Sequence, residues 1–176
     1  MIKWFLLTIA AAAASLAIYL FFYLGMNKPV EITQESRPAM SLLFKDHLGA
    51  YHQIGAALQE VEAWAFKNKL DCSLTFGEFL DDPKAVDQDR LRSRAGCLLK
   101  EPLTIPIEPY TYAEHPARQY VVARFNGAPG IGPFKVYPRV LEYFEEHRLR
   151  QAAPVIEVYS INGTQVTTEF LFPVDP

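Results

Sequence analysis

The feature that most constrains this chain is that its body is written twice. From residue 34 onward it reads strand, helix, strand, strand, and then repeats that order. The first half runs through "PAMSLLFK", "GAYHQIGAALQEVEAWAFKNK", "CSLTFGEFL" and "RLRSRAGCLL"; the second through "PARQYVVARF", "GPFKVYPRVLEYFEEHRLR", "APVIEVYSI" and "TQVTTEFLFP". The helices match at a constant offset of 83 positions, with Tyr51, Ile54, Leu58 and Val61 against Phe134, Tyr137, Leu141 and Phe144. Spacings of three and four place each set on one helical face, which predicts that these faces are core. Pro138 is expected in the first turn of its helix, where a missing amide hydrogen has no partner to lose. Asn162-Gly163 predicts a tight hairpin turn, and Pro38-Ala39 and Pro116-Ala117 open the first strand of each half. The fold class is therefore α+β. Two strand-helix-strand-strand repeats, over about 34–101 and 108–176, form a curved antiparallel sheet with helices on one face and a central cleft along the pseudo-twofold axis.

The first residues have a different composition. After a short head at 1–3, residues 4–26 carry no charge and are flanked by Lys3 and Lys28. At about 1.5 Å per residue this is long enough to cross a hydrocarbon core of about 30 Å. A cleaved signal peptide is the alternative, supported by the small-residue run Ala10 to Ala14. Against it, "IYLFFYLGM" extends the apolar segment beyond any such cut, so one transmembrane helix and a membrane location are expected. A linker follows over 27–33 and the domain over 34–176. Lys28, Arg37 and Lys45 outnumber Lys3 near the span, which favours a cytoplasmic domain, although the α-amino group weakens the count.

Several functions are excluded by what the chain lacks. The net charge is −3 with basic residues scattered among acids, so no stripe for nucleic acid exists. Cys72 and Cys97 lack metal-ligand spacing, the four histidines are dispersed, and no phosphate-binding glycine loop occurs; neither metal nor cofactor is expected. Ser41, Ser73 and Ser160 have no neighbouring His or Asp and no G-x-S-x-G elbow, so no catalytic residue is assigned. In the first hairpin Cys72 and Cys97 fall near opposite ends of the register, which is not fixed well enough to assign a disulfide.

Alternation along the strands selects the candidate site. Ile156 and Val158, with Leu74 and Phe76, are expected on the helix side; Glu157, Tyr159, Ser73, Thr75, Gly77 and Phe79 then share the free face. Superposing the halves sets Gly77 against Glu157 and Gly96 against Glu169, so each glutamate meets a bare position in the other half. A desolvated carboxylate there would regain stability from a cation or hydrogen-bond donor. The alternative is that both are solvent-facing strand residues, paired with Arg118 or Arg124.

The doubled unit, "GAYHQIG" at the first helix, "FLDDP" followed by "LRSRAGCLL", and the closing E-x-x-x-P of Glu169 to Pro173 resemble the GyrI-like small-molecule-binding domain. The resemblance covers about residues 33 to 175 and implies a cleft that receives amphipathic molecules, with the acid of the last strand, here Glu169, facing the ligand. The anchor, "VYPRVLEYFEEHRL" and "PVIEVYS" are similar to a membrane-anchored form of this family that continues into a long tail, whereas this chain stops at Pro176. The expected function is a membrane-tethered, non-catalytic module that binds an amphipathic small molecule, a lipophilic cation being the natural candidate. Its contacts would be Glu169, Glu157, Tyr159, Phe79 and Thr75. Two alternatives stand beside it: a hydrolase of cyclopropane-containing xenobiotics using the same acids and Tyr159, and a module that holds a protein partner at the membrane.

Overall fold

The computed structural model describes residues 2–103, 108–152, 154–163 and 165–175, apart from the side chain of Ser73. Helix α1 spans Ile2–Ile18 and continues through a π-helical turn at Tyr19–Tyr23, with none of its residues buried. The domain follows as β1 Val30–Arg37, β2 Met40–Leu48, α2 Ile54–Lys67, β3 Cys72–Phe79 and β4 Arg92–Leu99. Its second half is β5 Thr111–His115, β6 Arg118–Asn126, α3 Gly132–Glu146, β7 Val155–Asn162 and β8 Gln165–Pro173. All eight strands pair antiparallel in one sheet, ordered β1-β6-β8-β7-β3-β4-β2-β5.

Each repeat carries one strand more than its sequence pattern suggests. The added strand, β1 or β5, leaves its own repeat and pairs with the other: β1 with β6, and β5 with β2. The two-residue steps at Pro38-Ala39 and Pro116-Ala117 join these strands to β2 and β6. The register is unbroken across both steps, from Val30 facing Phe125 to Arg37 facing Arg118, then from Met40 facing His115 to Phe44 facing Thr111. Residues 30–48 and 111–126 therefore form one long ribbon, interrupted where the prolines remove amide donors. The segment read as a linker over 27–33 is accordingly shorter, because Val30 already pairs with Phe125. "VEITQESR" lacks a continuous apolar run, and only its partner strand makes it a strand.

Since the continuous segments β1–β2 and β5–β6 each run from one end of the sheet to the other, the sheet curls until its inner face closes on itself. Met40, Leu42 and Phe44 of β2 share a buried cluster with Tyr120 and Val122 of β6, across the four strands between them, and with Phe76, Ile156, Val158 and Leu171. No helix residue takes part in that cluster. The helices cover the opposite face: α3 packs Val136, Val140 and Phe144 on Val121, Ala123, Phe125, Phe170 and Phe172, and α2 packs Val61 and Ala65 on Leu43 and Cys97 and Ile54 and Ala57 on Ala95 and Phe79. The expected assignment of faces is thus inverted. Ile156, Val158 and Phe76 lie inside the curl, whereas Glu157, Tyr159, Thr75, Gly77 and Phe79 lie under the helices. Period two says which residues share a face; with both faces buried it does not say which one meets the helices.

The helix faces are also adjusted. Ile54 and Val61 are buried as expected, but the intermediate core positions are Ala57 and Val140, again 83 apart, in place of Leu58 and Leu141. Phe134 is 79% exposed and Leu141 59%. Because α3 begins at Gly132, Pro138 falls in the second turn, where it removes the amide that would bond back to the Phe134 carbonyl; its exposed position leaves that carbonyl to water. Both helices end alike. Lys69 and Arg148 take positive φ, and Leu70 and Leu149 donate back to Ala65 and Phe144, satisfying terminal carbonyls. The Asn162-Gly163 turn forms, with Gly163 at φ +62°.

The ladder between β3 and β4 shifts register between Cys72 and Leu74, so that Cys72 faces Leu99, and Cys72 forms a disulfide with Cys97, their Cα atoms 5.3 Å apart. It staples β3 to β4 beneath α2 across 25 residues of chain. Closing a loop of this length restricts the unfolded chain, so reduction is expected to lower stability by about 3 kcal/mol. Urea unfolding with and without reductant measures this loss, and Cys97→Ala should abolish the difference.

Candidate functional site

The pseudo-twofold axis passes through the central pair β3 and β7, where Gly77 stands directly opposite Glu157. Thr75 pairs with Tyr159 beside it, and Phe79 with Val155. The bare position that superposition set against Glu157 is thus its neighbour in space. Gly77 is bare because Ile54 of α2 and Phe79 lean over it: a Cβ there would stand 3.2 Å from Ile54 Cδ1 and 3.1 Å from Phe79. Tyr51, ahead of α2, meets Phe79 edge-on at 4.7 Å and is tied by its hydroxyl to the Asp81 carbonyl at 2.8 Å.

Glu157 is 4% exposed, on the face of the sheet that the helices cover. Tyr159 donates to its Oε2 at 3.1 Å and Tyr137, from the inner face of α3, to its Oε1 at 3.4 Å. Burial pushes the carboxyl up to about 7, against the pull of the two hydroxyls. The same burial, next to the same carboxylate, raises both phenols, which therefore remain donors. No salt bridge among the described residues reaches Glu157. Thr168, opposite Tyr159 on β8, is fully buried, and its hydroxyl has no hydrogen-bond partner among the described residues. The buried cluster thus combines an acid near neutrality, two phenol donors and neighbouring aromatic rings, a set whose chemistry suits holding a cation or exchanging a proton.

Glu169 lies on the other face of the sheet. It pairs with Val158, while Glu157 pairs with Phe170. Arg124 Nε donates to Glu169 Oε1 at 2.7 Å and Arg37 Nη2 to Oε2 at 3.0 Å, so both oxygens are engaged. Arg124 also grips Glu35 at 2.7 and 3.0 Å, holding that carboxyl down at about 2. Two acids and two guanidiniums form a balanced network across β1, β6 and β8, and of the two expected ion partners Arg124 is the one used. Gly96 is not the counterpart of Glu169. Carrying the axis at Gly77 and Glu157 outward matches Glu78 to Val158, and hence Arg94 to Glu169, and Arg94 pairs with the buried Glu78 at 2.9 Å. Gly96 is bare because a Cβ would fall 2.0 Å from the Leu43 carbonyl oxygen.

Of the five expected contacts, then, Glu157, Tyr159, Thr75 and Phe79 come together, and Glu169 is apart from them. The helical spacing predicts Tyr137 only as a core position, and the structure adds its hydrogen bond to Glu157. A phenol at an inward helical position is the one signal that could have singled it out, since a buried hydroxyl needs a partner. Among the described residues no group of three or more His, Cys, Asp or Glu could hold a metal. A surface cavity of about 430 Å³ beside Arg37, Met40, Leu98, Lys100 and Glu114 includes none of the expected contacts.

A curled antiparallel sheet built from two halves, with a buried acid under paired helices, defines a class of twofold α+β small-molecule clefts. The sequence matches the GyrI-like small molecule binding domain over residues 30–175, and the chain belongs to that family. The C-terminal domain of EcmrR is similar in structure at 14% identity, with a TM-score of 0.69 over 83% of this chain and 98% of that one. SAV2435, solved bound to tetraphenylphosphonium, is similar at 15% identity with a TM-score of 0.57, over 82% and 94%. A hydrolase from Listeria innocua is similar at 11% identity with a TM-score of 0.53, over 82% and 92%. The comparison with curated proteins yielded no match.

The raised pKa of Glu157 sets a pH dependence. The folded chain binds this proton more tightly than the unfolded chain, so the stabilisation is complete below the ordinary value of 4.5 and is lost as pH rises to about 7. Glu157→Gln should remove that slope and leave the variant more stable than the parent at pH 8 by up to about 3 kcal/mol, read from urea unfolding at pH 5 and 8. Glu169→Gln should instead weaken the domain at both values, because it leaves two guanidiniums short of a partner.

Proposed function

We propose that the chain is a membrane-anchored module that binds an amphipathic, cationic small molecule in the helix-side cleft. Glu157 is the charge contact, Tyr159 and Tyr137 orient its carboxylate, and Thr75 and Phe79 line the first-repeat side. The observation that carries this reading is a buried carboxyl hydrogen-bonded by two phenols and paired with no cationic side chain among the described residues. A lipophilic cation entering the cleft would supply the missing charge while its apolar surface replaces water against the aromatic walls. SAV2435, which shares the fold, is described as bound to such a cation, tetraphenylphosphonium. Glu169 is left out of the contact set, since a ligand there would have to displace Arg37 and Arg124.

Cation binding requires the ionised carboxylate, so affinity for tetraphenylphosphonium should rise by roughly tenfold from pH 6 to pH 8 and then level off. Thermal-shift titrations of the full chain in nanodiscs would measure it. Glu157→Gln should lose both the binding and the pH trend, and Glu169→Gln should keep both. Equal stabilisation of Glu157→Gln and the parent would overturn the reading. A second reading, hydrolysis in the same cleft, draws on the same carboxyl, because an acid near neutrality beside two phenols is suited to proton transfer. Time-dependent loss of a cyclopropane-bearing electrophile that disappears in Glu157→Gln would favour it.

The anchor in this reading is the 22-residue apolar helix Ile2–Tyr23, whose composition a signal sequence would share. For the side that holds the domain, the charge count near the span and the Cys72–Cys97 disulfide point in opposite directions. The disulfide is given the greater weight, because such bonds persist in oxidising compartments and the count is close. Mass spectrometry after alkylation of native membranes should find no free thiol; two labelled cysteines would place the domain in a reducing compartment.

A further inference from the structure

Three candidates lie outside the cleft: the surface cavity at the ribbon crossing, the buried Glu78–Arg94 pair with the unpartnered Tyr120 hydroxyl, and the outer face of α3. The cavity is lined by Arg37, which is already engaged by Glu35 and Glu169. The Glu78 pair is internally compensated. The outer face of α3 has a geometric relation to the rest of the chain that neither of the others has.

The end of the apolar helix is seated on the loop that precedes α3. Ala128 donates its amide to the Leu24 carbonyl at 3.1 Å. Gly25 is buried at φ +85°, and a Cβ there would stand 3.2 Å from Gly127 Cα. Lys135, in the first turn of α3, donates to the Met26 carbonyl at 2.7 Å and also to the carbonyl of Lys28. The apolar span stops at Tyr23, so its exit point is held within a few residues of the loop at 127–131. That loop carries no charge, and Pro129 and Gly130 are exposed. On α3, Phe134, Pro138 and Leu141 recur at spacings of four and three on the side away from the sheet, all exposed, with Glu145 next on that line; Lys135 and Arg139 flank it together with Glu142 and Glu146.

We infer that the 127–131 loop and the Phe134–Leu141 stripe of α3 rest on the surface of the bilayer that α1 enters, forming a second membrane contact beside the anchor. The inference depends on the anchor reading above. A short apolar loop and a helix whose first turns present one exposed apolar stripe have the composition that lies in the boundary between headgroups and acyl chains. The inner face of the same helix carries Tyr137, which donates to Glu157. The cleft wall would then stand at the membrane surface, where amphipathic ligands concentrate.

Brominated-lipid quenching in nanodiscs containing anionic lipid tests this with the full chain. Phe134→Trp, in a chain also carrying Trp4→Phe and Trp64→Phe, should lose emission when bromolipid replaces ordinary lipid. The control is Phe66→Trp in the same background, since Phe66 is 85% exposed on α2 and is tethered by the same anchor; it should be unaffected. A third chain with Trp4 as its only tryptophan reports insertion of α1. Quenching of Trp4 with equal response, or none, at positions 134 and 66 would overturn the second contact while leaving the anchor intact. Absence of quenching at Trp4 would overturn the anchor and the contact with it. Circular dichroism of each variant establishes that the fold is kept.

Discussion

The fold depends on the ribbon formed by residues 30–48 and 111–126. In each strand, one half pairs at one end of the sheet and the other half at the opposite end, so the ribbon ties the two ends together. An eight-stranded antiparallel sheet left open would expose one whole face; tied in this way, it curls and packs that face against itself. The prolines at 38 and 116 sit where the chain must bend without a ladder hydrogen bond, which is where proline costs least.

Closure has an electrostatic consequence. Inside the curl, Glu78 is matched by Arg94, and Glu35 and Glu169 by Arg37 and Arg124. Under the helices, Glu157 is hydrogen-bonded by the hydroxyls of Tyr137 and Tyr159 and has no ion pair among the described residues. Two donors without positive charge do not offset the loss of hydration, so the carboxyl holds its proton toward neutral pH. The difference between Glu78 and Glu157 in this protein is therefore a difference in partners. Exposure alone would not have separated Glu78 from Glu157, since both are 4% exposed.

Much of the fold was legible in the sequence. The order of elements, the two helices at an offset of 83, the Asn162-Gly163 turn and the family resemblance all follow from local patterns. What local pattern misread was direction. Ile156 and Val158 are apolar and were placed under the helices; they are apolar because the inner face is also a core. Phe134 and Leu141 were placed in the core on spacing, yet the adjacent stripe with Val136 and Val140 is the buried one. Strands β1 and β5 escaped notice because their pairing partners lie in the other repeat, and no local pattern records that.

The sequence by itself determined the repeat, the apolar N-terminal helix, the family and the presence of two unusual glutamates in the last hairpin. Only the tertiary structure decided which of them is buried under the helices without a cationic partner among the described residues. Glu157 and Glu169 are twelve residues apart on adjacent strands, and the register Val158 to Glu169 places them on opposite faces. Whether a face is cleft or curl depends on where the helices dock and how far the sheet bends, and both depend on contacts between residues far apart in the chain. For the same reason Tyr137 could be recognised as a donor only once α3 had been placed over β7.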